Sequence, residues 1–336
     1  MTIYQVAQTA GVSISTVSLA LNHPERVSER TRSRVIQAAG ELGYRPGATP
    51  SERARRRAGR IAVIAPFSSY ESYRTRLIGV LETFGPESVE VAVYDAPSVA
   101  AAGSPLLETL PVRGDVDGLL IMGIPLGEQG ADRLVRWGPP TVLVDSTHPA
   151  FSSVSFDDEQ AGFLLARHLL EHGHPRIGFL HEPQRSESYV SPGMLRRDGI
   201  NRALRTAEAA GEQVATLEDL ELPENDLASA RTFAAGFAAR EQRPSAVICH
   251  HDLLAAGFLA GLRAAGAAVP GQVAVAGFDD GPLAEGLGLT TVRQAFAESG
   301  RHAAELLRSL IRSPGHAVAR TLLTPELVPR ETTAEG

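Results

Sequence analysis

The pattern His168-Leu169-Leu170-Glu171-His172 is the segment of the chain that most resembles an enzyme motif. On a helix, this spacing places both imidazoles on one face, where they could bind zinc and support metal-dependent hydrolysis. The same segment has apolar residues at helical spacing, as in a helix that packs on a core. The motif is short, so the residues favour the core helix and leave the hydrolase as the alternative.

Other enzyme classes lack the residues that they require. All 32 basic residues are arginines, so neither the lysine of a phosphate-binding P-loop nor the amine of a Schiff base is present. The apolar run at 61–66 is not followed by the glycine-rich turn of a dinucleotide site. We therefore expect no cofactor, no bound metal and no enzymatic activity. The single cysteine, Cys249, is expected to be a small buried side chain.

Length and charge indicate a chain of about two domains with different partners. The 336 residues are 43% hydrophobic, with no apolar run long enough to cross a membrane and no signal-peptide pattern, so we expect a cytoplasmic protein. Residues 1–60 contain ten arginines and four glutamates, a net charge of +6, whereas the rest carries −13. A basic N-terminal head (residues 1–60) and an acidic body (the remaining residues) indicate that only the head binds a polyanion.

Three helices are predicted near the N-terminus. The first covers residues 3–10 and ends at Gly11, where a glycine adopts the turn conformation at little cost. The second follows a Ser13 cap and runs to about Asn22, and the third begins near Ser28. The short connection between the first two helices is typical of a helix-turn-helix, and the third closes a small core.

A long ordered set of residues runs through this head: Ile3-Tyr4-Gln5-Val6-Ala7, Ala10-Gly11-Val12-Ser13, Ser15-Thr16-Val17-Ser18, Leu21-Asn22 and Leu42-Gly43-Tyr44-Arg45-Pro46. The set resembles the head of the LacI/GalR family of transcriptional regulators. The resemblance implies that the second helix lies in the major groove of double-stranded operator DNA.

The positions that match base-reading residues of the family are Ile14, Ser15 and Leu19, whereas Thr16 and Ser18 match phosphate or packing positions. Leu19 departs from the family, in which a polar or basic residue is usual. An apolar side chain can read only features such as a thymine methyl group. A core position for Leu19 is the alternative interpretation.

From residue 60 onward, short apolar runs alternate with helical patterns. Strands are predicted at 61–66, 89–94, 118–122, 141–145, 177–180, 246–249 and 273–278, and helices near 72–84, 128–137, 158–172, 193–210, 226–240 and 252–265. Such alternation forms parallel doubly wound sheets, whose ligands bind beyond the carboxyl ends of the strands. The number of strands predicts two lobes.

The body resembles the same family through Ile61-Ala62-Val63, Asp117-Gly118-Leu119-Leu120, Gly173-His174-Pro175-Arg176-Ile177-Gly178, Gly277-Phe278-Asp279-Asp280 and Leu289-Thr290-Thr291-Val292. The resemblance implies an all-α helix-turn-helix head joined by a hinge to an α/β two-lobed, periplasmic-binding-protein-like domain with parallel sheets. The expected boundaries are a head at 1–45, a hinge at 46–60 and an effector-binding and dimerisation domain at 61–336, with lobe 1 at 61–157 and 292–318 and lobe 2 at 158–291 and 319–336. The effector, expected to be a sugar, would bind between the lobes.

The resemblance also implies effector contacts. Arg196 matches the family arginine that commonly binds ligand hydroxyls or a carboxylate, and Asp279 matches another polar contact. His251 and Asp252 take the place of the usual Asn-Asp pair, and histidine in place of asparagine changes the pattern of hydrogen-bond donors and acceptors. The other candidates are Phe67, Ser69, Tyr70 and Tyr73 after the first strand, together with Asp145 and Gln294. An ordinary surface or core role is the alternative for each side chain.

The hinge departs most from the family, whose hinge carries a leucine that wedges into the minor groove. Arg53 occupies the matching position, and Thr49-Pro50-Ser51-Glu52 before it has the composition of a helix start. Like-charged arginines would destabilise so short a helix in free protein. We therefore predict that it orders on DNA, with basic side chains at the phosphates or in a narrow minor groove, namely Arg53, Arg55, Arg56 and Arg57. A flexible basic linker is the alternative.

The family pairs two half-sites, so the resemblance implies a homodimer. Only six residues follow Arg330, too few for a heptad tail, and no larger assembly is expected. A free sugar-binding protein of similar fold is the remaining alternative, but it would need a secretion signal and no helix-turn-helix. The sequence therefore predicts a repressor whose operator affinity is controlled by a small molecule.

Overall fold

A computed structural model describes residues 1–44, 59–87, 89–96, 107, 109, 116–183, 189–212, 215–313, 315 and 317–333. The chain divides into two compact units, with unit 1 formed by Met1–Ser155 and Phe296–Thr321 and unit 2 by Phe156–Ala295 and Leu322–Gly336. Among the described residues, no helix is both long and apolar enough to cross a membrane.

The head begins unit 1 and consists of α1 (Ile3–Ala10), α2 (Ile14–Asn22) and α3 (Glu29–Glu41), as predicted. Gly11 ends α1 with a φ of 60°, and the Ser13 side chain caps α2 by accepting a hydrogen bond from the Thr16 amide. Val6, Val17 and Ile36, one from each helix, are fully buried. The three helices therefore share one core.

The rest of unit 1 is a parallel sheet flanked by helices. Its strands are β1 (Arg60–Ala65), β2 (Glu90–Asp95), β3 (Gly118–Met122), β4 (Thr141–Val144), β5 (Ser152–Phe156) and β11 (Arg320–Leu323). They lie in the order β11-β5-β4-β3-β1-β2, and the pairs from β5 across to β2 are parallel. Around it, the helices with described bounds are α4 (Glu71–Phe84), α5 (Glu128–Trp137) and α11 (Phe296–Arg312).

Unit 2 contains a second sheet of the same kind. Its strands are β6 (Arg176–His181), β7 (Thr216–Glu221), β8 (Ala246–Cys249), β9 (Ala274–Asp279), β10 (Thr290–Arg293) and β12 (Glu326–Val328), in the order β12-β10-β9-β8-β6-β7. Only the β10–β12 pair among these described strands is antiparallel. Both sheets therefore confirm the predicted fold class.

Helices cover both faces of the second sheet. One core lies under α6 (Asp158–Glu171) and α7 (Pro192–Ala209), and includes Ile177 and Phe179 of β6. The other lies under α8 (Leu227–Ala238), α9 (Asp252–Ala264) and α10 (Pro282–Leu287), and includes Leu180. Neighbouring residues of one strand thus enter opposite cores, as the side-chain alternation of a strand requires.

A glycine contact in each unit sets how closely two helices pack. A Cβ atom on Gly300 of α11 would lie 1.9 Å from the Arg76 carbonyl oxygen of α4. In unit 2, a Cβ atom on Gly162 of α6 would lie 2.0 Å from the Arg196 carbonyl oxygen of α7. Only glycine permits this approach, which holds each arginine against the neighbouring helix.

Candidate DNA-binding and effector-binding sites

One face of α2 is open to solvent. Ile14 is 39% exposed and Leu19 is 36% exposed, whereas Leu21 is buried with the head core. Leu19 therefore lies on the outer face of α2 and is not a core residue. Ser15 and Ser18 are also exposed, and Thr16 is half-buried.

The hydroxyl groups at the start of α2 form a small network. The Ser13 hydroxyl lies 2.8 Å from the Ser15 hydroxyl and 2.8 Å from the Thr16 hydroxyl. The Asn22 amide donates to the Ser18 hydroxyl oxygen at 3.4 Å. In a major groove, hydroxyls can donate to or accept from base edges, and Ile14 and Leu19 could contact thymine methyl groups. The predicted hinge contacts Arg53, Arg55, Arg56 and Arg57 lie outside the described residues.

Unit 2 has a polar cluster centred on Arg196, whose side chain is 6% exposed. Its Nε donates to Asp158 Oδ1 at 2.8 Å, its Nη1 to the His250 carbonyl oxygen at 2.5 Å, and its Nη2 to Gln294 Oε1 at 2.9 Å. Gln294 Nε2 also donates to Asp158 Oδ1, at 2.8 Å. The guanidinium lies 4.4 Å from the centre of the Phe278 ring. Residues from four separate segments therefore hold this one group in place.

The three bonds of Arg196 do not use all of its donor hydrogens. An arginine carries five N–H donors, and the three bonds above use one on each nitrogen. The remaining hydrogens, one on Nη1 and one on Nη2, are donors of the kind that binds hydroxyl groups or a carboxylate. Because Asp158 already balances the charge of Arg196, the cluster can bind an uncharged polar ligand without leaving a buried cation unpaired.

Two of the predicted contacts in unit 2, His251 and Asp252, make hydrogen bonds to neighbouring elements of the fold. His251 caps α9, because its Nδ1 accepts from the Leu254 amide at 3.4 Å while Nε2 lies 2.7 Å from Asn225 Oδ1. Burial, followed by the charge of Arg196, lowers the pKa of His251 to about 3. Asp252 accepts from the Thr291 hydroxyl at 2.8 Å and from the Gly281 amide at 3.2 Å. Burial raises the pKa of Asp252 to about 7.

The two aspartates after β9 have different surroundings. Asp279 is half-buried, with a φ of 117°, and lies at the carboxyl end of its strand. Asp280 pairs with Arg293 at 2.7 Å and with Arg330 at 2.6 Å, and these arginines lower the pKa of its carboxyl group against the effect of burial. Asp280 is therefore held by ion pairs with two arginines.

The sequence prediction missed His250, which lies beside Arg196. Its Nδ1 is buried without a hydrogen-bond partner among the described residues, and the ring lies 3.0 Å from the Cβ position of Gly193. Burial and the charge of Arg196 keep the pKa of His250 well below its usual value, so the ring is neutral. The sequence could have suggested His250, because it is the first residue after β8 and ligands of parallel sheets bind beyond the carboxyl ends of the strands.

The predicted contacts in unit 1 follow β1 and β4. Phe67 and Tyr73 are buried, Tyr70 is half-buried with its ring 6.0 Å from that of Tyr73, and Ser69 is exposed. Asp145 forms a buried ion pair with Arg76, with 2.6 Å between Asp145 Oδ2 and Arg76 Nη2. The carboxylate of Asp145 is therefore part of an internal pair.

Arg76 is the second residue that the sequence prediction missed. It donates to the Ser299 hydroxyl oxygen at 3.2 Å, and its guanidinium lies 4.4 Å from the Phe296 ring centre. Arg76 stands three residues before Gly79, just as Arg196 stands three residues before Gly199. This repeated Arg-x-x-Gly spacing was the signal, since both glycines contact a neighbouring helix.

The histidines of the zinc-like pattern make internal contacts. His168 Nε2 lies 2.8 Å from the Thr333 hydroxyl, and His172 Nδ1 lies 2.8 Å from the His168 carbonyl oxygen. Burial, with a smaller effect from His172, lowers the pKa of His168. Glu171 pairs with Arg167 at 3.3 Å. Cys249 is buried, and burial raises the pKa of its thiol.

Comparisons with known proteins agree with this architecture. Residues 2–47 match the family described as bacterial regulatory proteins, lacI family, and residues 166–333 match the periplasmic binding protein-like domain. The chain is 28% identical to the HTH-type transcriptional repressor PurR of Photobacterium profundum, with 98% of each chain covered. It is 29% identical to the HTH-type transcriptional repressor CytR of Escherichia coli, with 99% of this chain and 96% of the relative covered.

Solved structures give the same result over the whole chain. A cellobiose complex of the transcriptional regulator CelR has a TM-score of 0.68 and 26% identity, with 99% of both chains covered. A LacI-family regulator from Silicibacter pomeroyi has a TM-score of 0.70 and 28% identity over the full length of both chains. The chain belongs to the LacI family of bacterial regulatory proteins. It is a DNA-binding transcriptional repressor that responds to a small molecule, and not an enzyme.

Proposed function

We propose that the chain is a homodimeric repressor whose affinity for operator DNA changes when a sugar binds the Arg196 cluster. The observation that carries the proposal is the presence, in one chain, of an exposed α2 face and a buried guanidinium whose charge is balanced by Asp158. The proposed divisions are a head at 1–45, a hinge at 46–60 and an effector-binding domain at 61–336. The proposed location is the cytoplasm, where the chromosome is accessible.

The chemistry of the Arg196 cluster supports an uncharged polyol as the effector. Asp158 neutralises Arg196, and the neighbouring ring of His250 is neutral, so the cluster offers directional hydrogen bonds and little net positive charge. Asp279 adds an acceptor for hydroxyl groups. The solved structure of the related regulator CelR is a complex with cellobiose. Cellobiose is therefore the first sugar to test.

The DNA-binding proposal predicts a complex of one dimer with one partly palindromic duplex, because a single recognition helix contacts too few bases. Fragments selected from the source genome with the purified protein supply the operator. Its affinity is expected to exceed that for random DNA by about 10³-fold or more, and both affinities should fall steeply with salt. Light scattering should show a dimer and no stable tetramer. Equal affinity for selected and random fragments at every salt concentration would refute this assignment.

The hinge proposal makes a separate prediction for Arg53. Arg53→Leu should weaken operator binding about 3- to 10-fold and make the salt slope shallower by about 1, because one phosphate or groove contact is lost. Arg263→Leu is a matched control, since Arg263 is exposed on α9 in unit 2. Tighter binding of Arg53→Leu with an unchanged slope would mean that the operator favours an apolar wedge.

A further inference from the structure

Trp137, the only tryptophan of the chain, packs against the head. It is the last residue of α5, whose Ala131 and Leu134 enter the core of the unit 1 sheet. The half-buried Trp137 ring instead packs against the core of the head, beside residues of α1, α2 and α3. One helix therefore contributes to two cores, and Trp137 is its contribution to the head.

The contact is tightest at Gly40, near the end of α3. A Cβ atom on Gly40 would lie 2.6 Å from Cδ2 and Cε2 of the Trp137 ring and 2.7 Å from Cε3. The face of the indole therefore lies directly on the α3 backbone. Any other residue at position 40 would have to displace this ring.

Nothing within the head itself accounts for a glycine at position 40. Gly40 lies inside α3 and is not among the residues with positive φ, so alanine would fit its backbone. Glycine inside a helix costs about 0.5–1 kcal/mol relative to alanine. The three nearest atoms to its missing Cβ all belong to Trp137. The glycine therefore serves the contact with α5.

The topology of unit 1 supports the same interface. Trp137 comes shortly before β4, and β1, β3 and β4 are parallel, so Trp137 lies at the edge of the sheet where these strands begin. The chain arriving from the head enters β1 at Arg60, at that same edge. The head and its contact residue are thus on the side of unit 1 where the chain connects them.

We propose that Trp137 and Gly40 form a seat that holds the head on unit 1 within one chain, as a second connection beside the covalent hinge. The seat uses α3 and leaves Ile14 and Leu19 of α2 exposed. A seated head can therefore still present its recognition helix. The seat restricts the orientation of the head before DNA arrives, which reduces the freedom lost on binding.

The test uses the intrinsic fluorescence of the full chain without DNA or effector, so its outcome does not depend on the proposed function. Gly40→Ala should shift the Trp137 emission to the red and raise its acrylamide quenching constant about twofold, because the displaced ring becomes more exposed. Alanine favours the helix, so the head should remain folded, which far-UV circular dichroism of the variant checks.

Gly236→Ala is the matched control, because Gly236 lies inside α8 with nothing within 4 Å of its Cβ position. It should leave the emission and quenching of Trp137 unchanged. The wild-type emission should also be independent of protein concentration, since both residues belong to one chain. Identical quenching in wild type and folded Gly40→Ala would overturn the seat, and an emission that shifts on dilution would place it between copies instead.

Discussion

Arg196→Ala is expected to lower the free energy of unfolding of unit 2 by about 3 kcal/mol and to abolish the response to sugar. The loss of stability follows because Asp158, with a side chain only 5% exposed, would lose its ion-pair partner. Gln294 would also lose the donor at Nη2. Urea denaturation measures the first effect. The second effect is measured as the change in operator affinity on addition of cellobiose, or of the sugar from a panel that raises the melting temperature of the wild type.

Arg197→Ala is the control, because Arg197 is the next residue and its side chain is 48% exposed. Its pair with Asp219 is at the surface, so its removal should change stability by about 1 kcal/mol or less. The sugar response should be retained. A large loss of response in Arg197→Ala, with Arg196→Ala still responsive, would mean that the effector site lies elsewhere.

The combination Arg196→Met with Asp158→Asn separates folding from recognition. Removing both charges avoids the uncompensated carboxylate, and stability should return to within about 1–2 kcal/mol of the wild type. The sugar response should stay absent, because methionine has no N–H donors to replace those of the Arg196 guanidinium. Full recovery of the response in this folded double variant would assign Arg196 a structural role only.

The Arg196 cluster shows which part of the site can be predicted from sequence. The resemblance to the family proposed both Arg196 and Gln294 as candidate contacts, and the two are hydrogen-bonded at 2.9 Å. Nothing in the residue pattern connects Arg196 with Asp158, which lies 38 positions away. Their contact depends on the close packing of α6 against α7 at Gly162. Long-range pairs of this kind depend on the tertiary arrangement, and they cannot be predicted from the local periodicity of the sequence.

The fold shows the same division between local and long-range information. The helices of the head and the long apolar strands were predicted because burial on one or both faces leaves a strong periodic pattern. The strand β7, Thr216–Glu221, was not predicted from the alternation, since it lies at a sheet edge and its residues are mainly polar or exposed. The strand β5, Ser152–Phe156, is rich in serine although largely buried. Its polar residues do not form the apolar run by which a buried strand is predicted from sequence.

His251→Asn is expected to make unit 2 less sensitive to acid, by about 2 kcal/mol between pH 7.5 and pH 5.0. Burial lowers the pKa of His251 to about 3 from an ordinary value of 6.5. The unfolded chain therefore binds a proton below pH 6.5 that the folded chain excludes. The contribution of this group is fully present above pH 6.5 and is lost as the pH falls below that value, at about 1.4 kcal/mol per pH unit. Asparagine does not titrate in this range.

The variant should fold because asparagine is among the best helix caps and can replace Nδ1 as the acceptor for the Leu254 amide. The comparison of the two chains is needed because other buried groups titrate over the same interval. Burial keeps the pKa of His250 low as well, whereas burial raises the pKa of Asp252 to about 7, which opposes the loss of stability. These contributions are common to both chains, so their difference isolates His251.

The measurement is urea denaturation of the full chain at pH 7.5, 6.5, 5.5 and 5.0, with the free energy of unfolding of unit 2 compared at each value. The histidine is neutral in both states at pH 7.5 but half-protonated in the unfolded chain at pH 6.5, so the difference between the wild type and His251→Asn should change by only about 0.4 kcal/mol between these two values. Below pH 6.5 the difference should move in favour of the variant. Parallel curves down to pH 5.0 would show that His251 accepts a proton in the folded state, and that the cap on α9 is open to water.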